Sequence, residues 1–218
     1  MISLNNISTL IFDFGGVIIN LDLPLCIRNL KAIGAHDAEK YLSNFGQAGF
    51  FLQWEKGEID LPQFRNEIRK ISVGNPSNEA IDAAWCSFLQ DIPESRIKLL
   101  LELKKKYRLL LLSNSNPLHI DVSAKNEFGK FGLSLNDIFE HCFISYQMGM
   151  TKPDPAIFQT VLEESGVKAC ECLFLDDGTK NVDIARSIGI PSYLVKQGEN
   201  LDFLLENELI SEVKSVHI

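Results

Sequence analysis

The stretch Thr9-Leu10-Ile11-Phe12-Asp13-Phe14-Gly15-Gly16-Val17-Ile18 carries the information that decides the fold. From Thr9 to Phe12 it is β-rich with no polar alternation, the pattern of a strand buried on both faces of a parallel sheet. It then breaks at a carboxylate, Asp13, and at the pair Gly15-Gly16, which can turn the chain. Four further runs share this character, at 109–112, 142–145, 173–175 and 192–195. Helical periodicity fills the intervals at 118–128, 154–165 and 179–188. Lys104, Lys105, Lys106 and Arg108 follow the apolar segment 97–103, where a helix C-terminus running into a strand favours cations. Strand and helix alternating in this way predict an α/β fold, a parallel sheet with helices on both faces. The tail 200–218 reads as one more short helix and an edge strand.

Residues 22–91 have a different texture. They contain no strand-like run, and their apolar residues recur at helical spacing: Leu25, Ile27, Leu30 and Ile33, then Phe64, Ile68 and Ile71, then Ile81, Ala84, Trp85 and Phe88. Gly34, Gly57 and the turn Gly74-Asn75-Pro76 punctuate them. The expected organisation is an interrupted core, 1–20 plus 92–218, with a small all-α domain inserted at 21–91.

The 218-residue chain has 45% hydrophobic residues and a formal net charge of −8. The apolar content suits a well-filled core, and the charge disfavours nucleic acid or an anionic membrane as the main partner. An anionic small molecule stays open, since a few local cations reverse the field inside one pocket. The five cysteines, 26, 86, 142, 170 and 172, form no C-x-x-C pair and read as small buried hydrophobes in a reducing compartment. The opening MISLNNISTL lacks a signal-peptide pattern, and no apolar run reaches the ~18 residues of a membrane span. A cytoplasmic protein is expected. Nothing in the sequence sets its oligomeric state.

Ligands of parallel α/β sheets bind beyond the carboxyl ends of the strands, so the residues just after each run are the candidates. Asp13 follows the first, Ser113-Asn114 the second, Thr151-Lys152-Pro153-Asp154-Pro155 lies beyond the third, and Asp176-Asp177-Gly178-Thr179 follows the fourth. Converging on one crevice, they bring carboxylates, a hydroxyl and a lysine together, a set suited to magnesium and a phosphoryl group. Mg2+ takes oxygen ligands from one or two carboxylates plus waters and substrate. Asp13 and Asp177 are the natural ligands, with a backbone carbonyl near Gly15 as a third and Asp176 acting through water. Asp13 is also a competent nucleophile. Lys152 can offset phosphate charge, and Ser113 Oγ with the Asn114 N–H can hold phosphoryl oxygens.

These four segments, taken in order and spacing, resemble the haloacid dehalogenase superfamily: 11–18, Leu112-Ser113-Asn114, 151–158 with its Lys-Pro-Asp-Pro core, and 174–182 with its Asp-Asp pair. The resemblance spans about residues 9–195 and implies a Rossmann-like core, a helical cap of the C1 type over the site, and a Mg2+-dependent phosphatase with a phospho-Asp13 intermediate. The Gly-Gly-Val, Lys-Pro-Asp-Pro and Asp-Asp forms look most like the sugar-phosphate phosphatase branch. The segment Trp54-Glu55-Lys56-Gly57-Glu58 resembles the substrate-contacting part of related caps, which makes Trp54 and Glu55 candidate substrate contacts. Arg28, Arg65 and Arg69 are weaker candidates for an anionic substrate, and Asn181 for support of the Asp-Asp segment.

One departure bears on the chemistry. Family phosphatases carry a second Asp two residues after the nucleophile, as general acid and then base, and here that position is Gly15. Three readings stay open: a substrate whose leaving group needs little protonation, such as an anomeric or acyl phosphate; replacement of the acid by Asp22 or Glu55; or an impaired relative that binds phosphates without turnover. Family dehalogenases also lack that Asp, so a 2-haloacid dehalogenase is the rival activity, weakened by the metal-binding pair Asp176-Asp177.

Overall fold

In the computed structural model, which describes residues 4–43 and 47–206, the five apolar runs pair as one parallel sheet. The strands are β1 Thr9–Phe12, β2 Arg108–Ser113, β3 His141–Ile144, β4 Cys172–Asp176 and β5 Ser192–Leu194. Their order across the sheet is β3-β2-β1-β4-β5, with β1 in the centre between β2 and β4. The expected α/β core is present, each strand within a few residues of its predicted bounds.

The lack of polar alternation in the strands has a direct cause. Successive side chains point to opposite faces, and both faces are covered. Leu10, Phe12, Leu109, Leu111, Leu173 and Leu175 pack on one side with Leu100 and Leu103 of the helix α5, Glu94–Leu103. Ile11, Leu110, Leu112, Phe143 and Phe174 pack on the other with Ile157, Phe158 and Val161 of α9, Pro155–Ser165, and Ala185 of α10, Thr179–Ser187. Asp154 caps α9 by accepting the Ala156 N–H at 2.9 Å, with Pro155 in the first turn, as the sequence order N-cap then Pro favours.

Between β1 and α5 lie α1 Leu23–Ala32, α2 Gly49–Glu55, α3 Leu61–Lys70 and α4 Asn78–Cys86. They enclose a cluster of their own around Phe51, Trp54, Phe64, Ile68, Ile81 and Trp85. Trp54 stacks on Phe64 with ring centroids 3.7 Å apart, and Phe51 lies 5.0 Å from Trp85. The two connections to the sheet layer pair with each other: Asn20 N–H donates to Asp91 O, Gln90 N–H to Asn20 O, and Asp22 N–H to Phe88 O, around an antiparallel bridge of Leu21 with Leu89.

Short helices α6 Lys125–Gly129, α7 Leu135–Ile138 and α8 Ser145–Met148 complete the connections. The segment 118–128, read as one helix, instead opens as a wider π-helical coil over Leu118–Ala124 before α6. Ser145, read as the end of a strand, starts α8. Of the tail, Asp202–Leu204 forms one 3-10 turn, and the expected edge strand falls in 207–218, outside the described residues. Cys26 and Cys172 are buried as expected, and Cys86 and Cys142 are half-buried. Cys170 departs from expectation by being exposed; all five are free thiols. Among the described residues no helix is long and apolar enough to cross a membrane.

Candidate active site

The parallel register puts the ends of β1, β2 and β4 side by side, and the residues after them line one cavity. Its wall includes Asp13, Gly15, Ser113, Asn114, Lys152, Asp177 and Asn181 from the sheet layer, and Gln47, Glu55, Phe88 and Leu89 from the helical layer and its return connection. The four segments singled out in the sequence do converge.

Lys152 is the hub. Its side chain is 1% exposed and its Nζ lies 2.9 Å from Asp13 Oδ1 and 2.6 Å from Asp176 Oδ2. The ammonium also sits 5.5 Å over the Phe174 ring. Asn114 holds the backbone beneath it from both sides: Lys152 N–H donates to Asn114 Oδ1 at 2.8 Å, and Asn114 Nδ2 donates to Lys152 O at 2.9 Å. The Asn114 side chain thereby places the lysine. Asp13 is set by its position one residue past β1, where its N–H donates to Leu175 O. Its Oδ1 accepts the Phe14 N–H at 2.6 Å as well as the lysine, while Oδ2 has no hydrogen-bond partner among the described residues.

Asp176 and Asp177 are adjacent but differently employed. Asp176 is fully buried, and its Oδ1 accepts Gly178 N–H at 2.7 Å and Asn181 Nδ2 at 2.9 Å, so both oxygens are engaged. Asp177 lines the cavity and its carboxylate lies against Gly16. At Gly16, φ is +72° and a Cβ would come within 2.2 Å of Asp177 Oδ2, so only glycine allows this approach. Oxygens of Asp13, Asp176 and Asp177 lie within 4.8 Å of one another. Burial, then the charge of Asp176, pushes the Asp177 carboxyl up to about 6, with Lys152 opposing. Burial also raises Asp13 well above the usual carboxylate range, against the pull of Lys152 and with Asp176 and Asp177 adding to the push. Carboxylates this crowded, with one lysine between them, form a donor set that fits a small hard cation.

Not every expected contact is in the cavity. Trp54 is corrected: it is 1% exposed, stacked in the helical cluster and absent from the cavity wall. One residue further along the same helix, Glu55 is buried and does line the cavity. Asp22 lies elsewhere, its carboxylate accepting the Leu25 N–H at 2.8 Å as the N-cap of α1. Arg28 is exposed, Arg65 pairs with Asp82 at 2.5 Å, and Arg69 is held by Pro76 O and Asn78, so none of the three faces the cavity.

Gln47 and Ser145 escaped the sequence reading, and His119, close to the second segment in sequence, is assigned no role by it. Gln47 lines the cavity with a buried Oε1 that has no partner among the described residues. His119 lines it too, but its ring stacks 4.8 Å from Trp85 and its nitrogens meet Asn116 Nδ2 at 3.1 Å and Trp85 O at 3.4 Å. Burial holds it down to about 4, hence neutral. Ser145 ties the layers together: its hydroxyl accepts Ser115 N–H at 2.9 Å and donates to Glu55 O at 2.6 Å. No local signal marks a serine for that role.

Comparison with known proteins gives a consistent picture. The family model for a haloacid dehalogenase-like hydrolase matches residues 7–189. The chain is 32% identical over 192 residues to D-ribitol-5-phosphate phosphatase of Bacteroides thetaiotaomicron, covering 88% of this chain and 93% of that one. It is similar, with TM-score 0.84 and 42% identity over 91% of this chain and 98% of the other, to a HAD family enzyme from Bacteroides thetaiotaomicron solved with magnesium and inorganic phosphate. A HAD-like family hydrolase of Porphyromonas gingivalis aligns at TM-score 0.84 and 34% identity, over 92% and 96% of the two chains.

Proposed function

The chain belongs to the haloacid dehalogenase-like hydrolase family, and from that premise we propose that it is a magnesium-dependent phosphatase acting on a small sugar or alditol phosphate. The observation that carries this is Asp13, with one oxygen fixed by Lys152 and the Phe14 N–H, the other unpartnered, and two more carboxylates within ligand distance. A dehalogenase needs no cation for its carboxylate to displace halide, so the cluster of Asp13 and Asp177 has a use only in the phosphatase. The likeness to D-ribitol-5-phosphate phosphatase points the substrate toward primary alkyl esters of polyols.

Each residue then has a task. Asp13 attacks phosphorus and is phosphorylated as the ester oxygen leaves; water then cleaves the phospho-aspartate. Asp13, Asp177 and the Gly15 carbonyl would hold Mg2+, with Asp176, whose oxygens are already engaged, contributing through water. The cation supplies charge stabilisation at the phosphoryl oxygens. Lys152 brings a second positive charge to the same oxygens, and Ser113 Oγ with the Asn114 N–H gives directional donors. Residues 21–91 act as the cap, contributing Glu55 and the unpartnered Gln47 Oε1, a fitting acceptor for a substrate hydroxyl. We place the enzyme in the cytosol, where free thiols such as these persist.

The test is phosphate release from D-ribitol 5-phosphate, other sugar phosphates and 4-nitrophenyl phosphate, with magnesium and with chelator. Magnesium-dependent release is expected, with none in chelator. A folded protein that releases phosphate from no ester overturns the reading. Gly16→Ala adds a check on the metal side. The new methyl forces the Asp177 carboxylate aside and strains a left-handed backbone by roughly 1–3 kcal/mol. Misplacing a ligand should raise the magnesium concentration for half-activation by about 10–100-fold, read from a magnesium titration of activity.

A further inference from the structure

The cavity contains no acid at the position two residues beyond Asp13, and the local geometry shows what stands there instead. A Cβ built on Gly15 would meet Leu21 Cδ1 at 3.2 Å, so the space a side chain would enter from β1 is bordered by an apolar neighbour. Leu21, Phe88 and Leu89 continue this apolar wall. A primary alcohol is a poor leaving group unless its oxygen receives a proton, so an alkyl phosphatase needs an acid from some other direction.

The titratable groups on the cavity wall are Asp13, Asp177, Lys152, His119 and Glu55. Asp13 is the nucleophile in the reading above, Asp177 a metal ligand, and Lys152 a paired ammonium. His119 is neutral with both ring nitrogens engaged. Glu55 remains, and resting on that phosphatase reading we propose that it is the proton donor and acceptor of the reaction, delivered from the helical layer rather than from β1.

Three features of the fold support the assignment. The Glu55 residue is 5% exposed, yet its carboxylate has no hydrogen-bond partner among the described residues, and neither oxygen is a sealed, unpaired atom. It lines the cavity. Its main chain is fixed, because Ser145 Oγ donates to the Glu55 carbonyl at 2.6 Å. The turn that follows lies flush on α8: Gly57 has φ +68°, and a Cβ there would be 2.3 Å from Tyr146 O. The acid is thus anchored to the same layer that holds Asp13 and Lys152. Burial lifts its pKa to about 8, with the Lys152 ammonium opposing across the cavity, so it carries its proton at neutral pH as a general acid must.

The steps balance. As the Asp13 carboxylate oxygen bonds to phosphorus and the P–O bond to the alcohol breaks, the Glu55 proton passes to the departing oxygen and frees the alcohol. The Glu55 carboxylate then takes a proton from water as that water's oxygen bonds to phosphorus. The bond to Asp13 breaks, inorganic phosphate leaves, and both side chains return to their starting states.

The experiment compares kcat/KM, which reports phosphorylation of Asp13, for an alditol phosphate and for 4-nitrophenyl phosphate, whose leaving group needs no proton. Glu55→Gln keeps the shape and removes the proton. It should lower kcat/KM for the alditol ester by about 10²-fold or more and for the aryl ester by less than about tenfold. The wild-type alditol rate should fall as pH rises through about 8, and the Gln variant should lose that limb while Glu55→Asp, slower, keeps it. Equal losses on both esters, or a Gln variant that retains the limb, overturn the assignment. A wild type active on neither ester overturns the phosphatase reading itself and this assignment with it.

Discussion

Asp13→Asn should abolish phosphate release from every ester, by roughly 10⁴-fold or more, while the protein stays folded. The substitution is isosteric, and its carbonyl can keep both contacts of Oδ1, the Phe14 N–H at 2.6 Å and the Lys152 ammonium at 2.9 Å. The amide nitrogen then occupies the place of Oδ2, the oxygen with no protein partner, and an amide nitrogen does not attack phosphorus. Stability should be unchanged or higher, because the replaced carboxyl is one that burial and two neighbouring carboxylates push above its ordinary range. A thermal melt and a phosphate assay on the same preparation check both halves. Residual turnover within tenfold of wild type would place the nucleophile elsewhere, and a collapsed fold would make Asp13 a structural residue.

The parts of this site that could be read in the sequence are those whose geometry is local. A strand buried on both faces must be apolar at every position, so Thr9–Phe12 and its four companions were visible as runs. In a parallel sheet the residues just past those runs must meet, which located Asp13, Ser113, Lys152 and Asp177 without any knowledge of packing. What escaped depends on how two layers dock. Trp54 and Glu55 are neighbours on one helix, and both are buried. Periodicity cannot tell which of them turns to Phe64 and which to the cavity, since that depends on how α2 is rotated against the sheet layer. The rotation is fixed where the Glu55 carbonyl and Gly57 meet Ser145 and Tyr146, residues from a distant part of the chain. Asp22 was an equal candidate to Glu55 until the structure put its carboxylate on the first turn of α1, an ordinary N-cap that the Pro at Pro24 would have allowed one to suspect. Gln47 has no signature at all, because what marks it is a buried oxygen left without a partner among the described residues.

Lys152→Met should have the second-largest effect, and it acts on stability as well as rate. The ammonium lies between Asp13 and Asp176, one half-buried and the other fully buried, and no other cation of the chain lines the cavity among the described residues. Breaking a buried ion pair by removing one partner leaves an uncompensated charge, a loss of about 3–5 kcal/mol. The sign with pH follows from Asp13. Its carboxyl already sits above its ordinary range, and Lys152 is the group holding it down. Without the lysine it rises further, so the folded state favours the protonated acid. The deficit relative to wild type should therefore be larger at about pH 8 than at about pH 5, where a bound proton replaces the lost positive charge. Magnesium offers a second replacement, and the gap in melting temperature should narrow as it is added. Activity should not recover in step. A cation restores the balance among the carboxylates but leaves the phosphoryl oxygens one donor short, a loss of about 10²–10³-fold in kcat. Melting curves at both pH values, with and without magnesium, separate these effects. A variant as stable as wild type at high pH without metal would mean that the carboxylates share protons rather than rely on the lysine, and the electrostatic account of the site would have to be rebuilt around them.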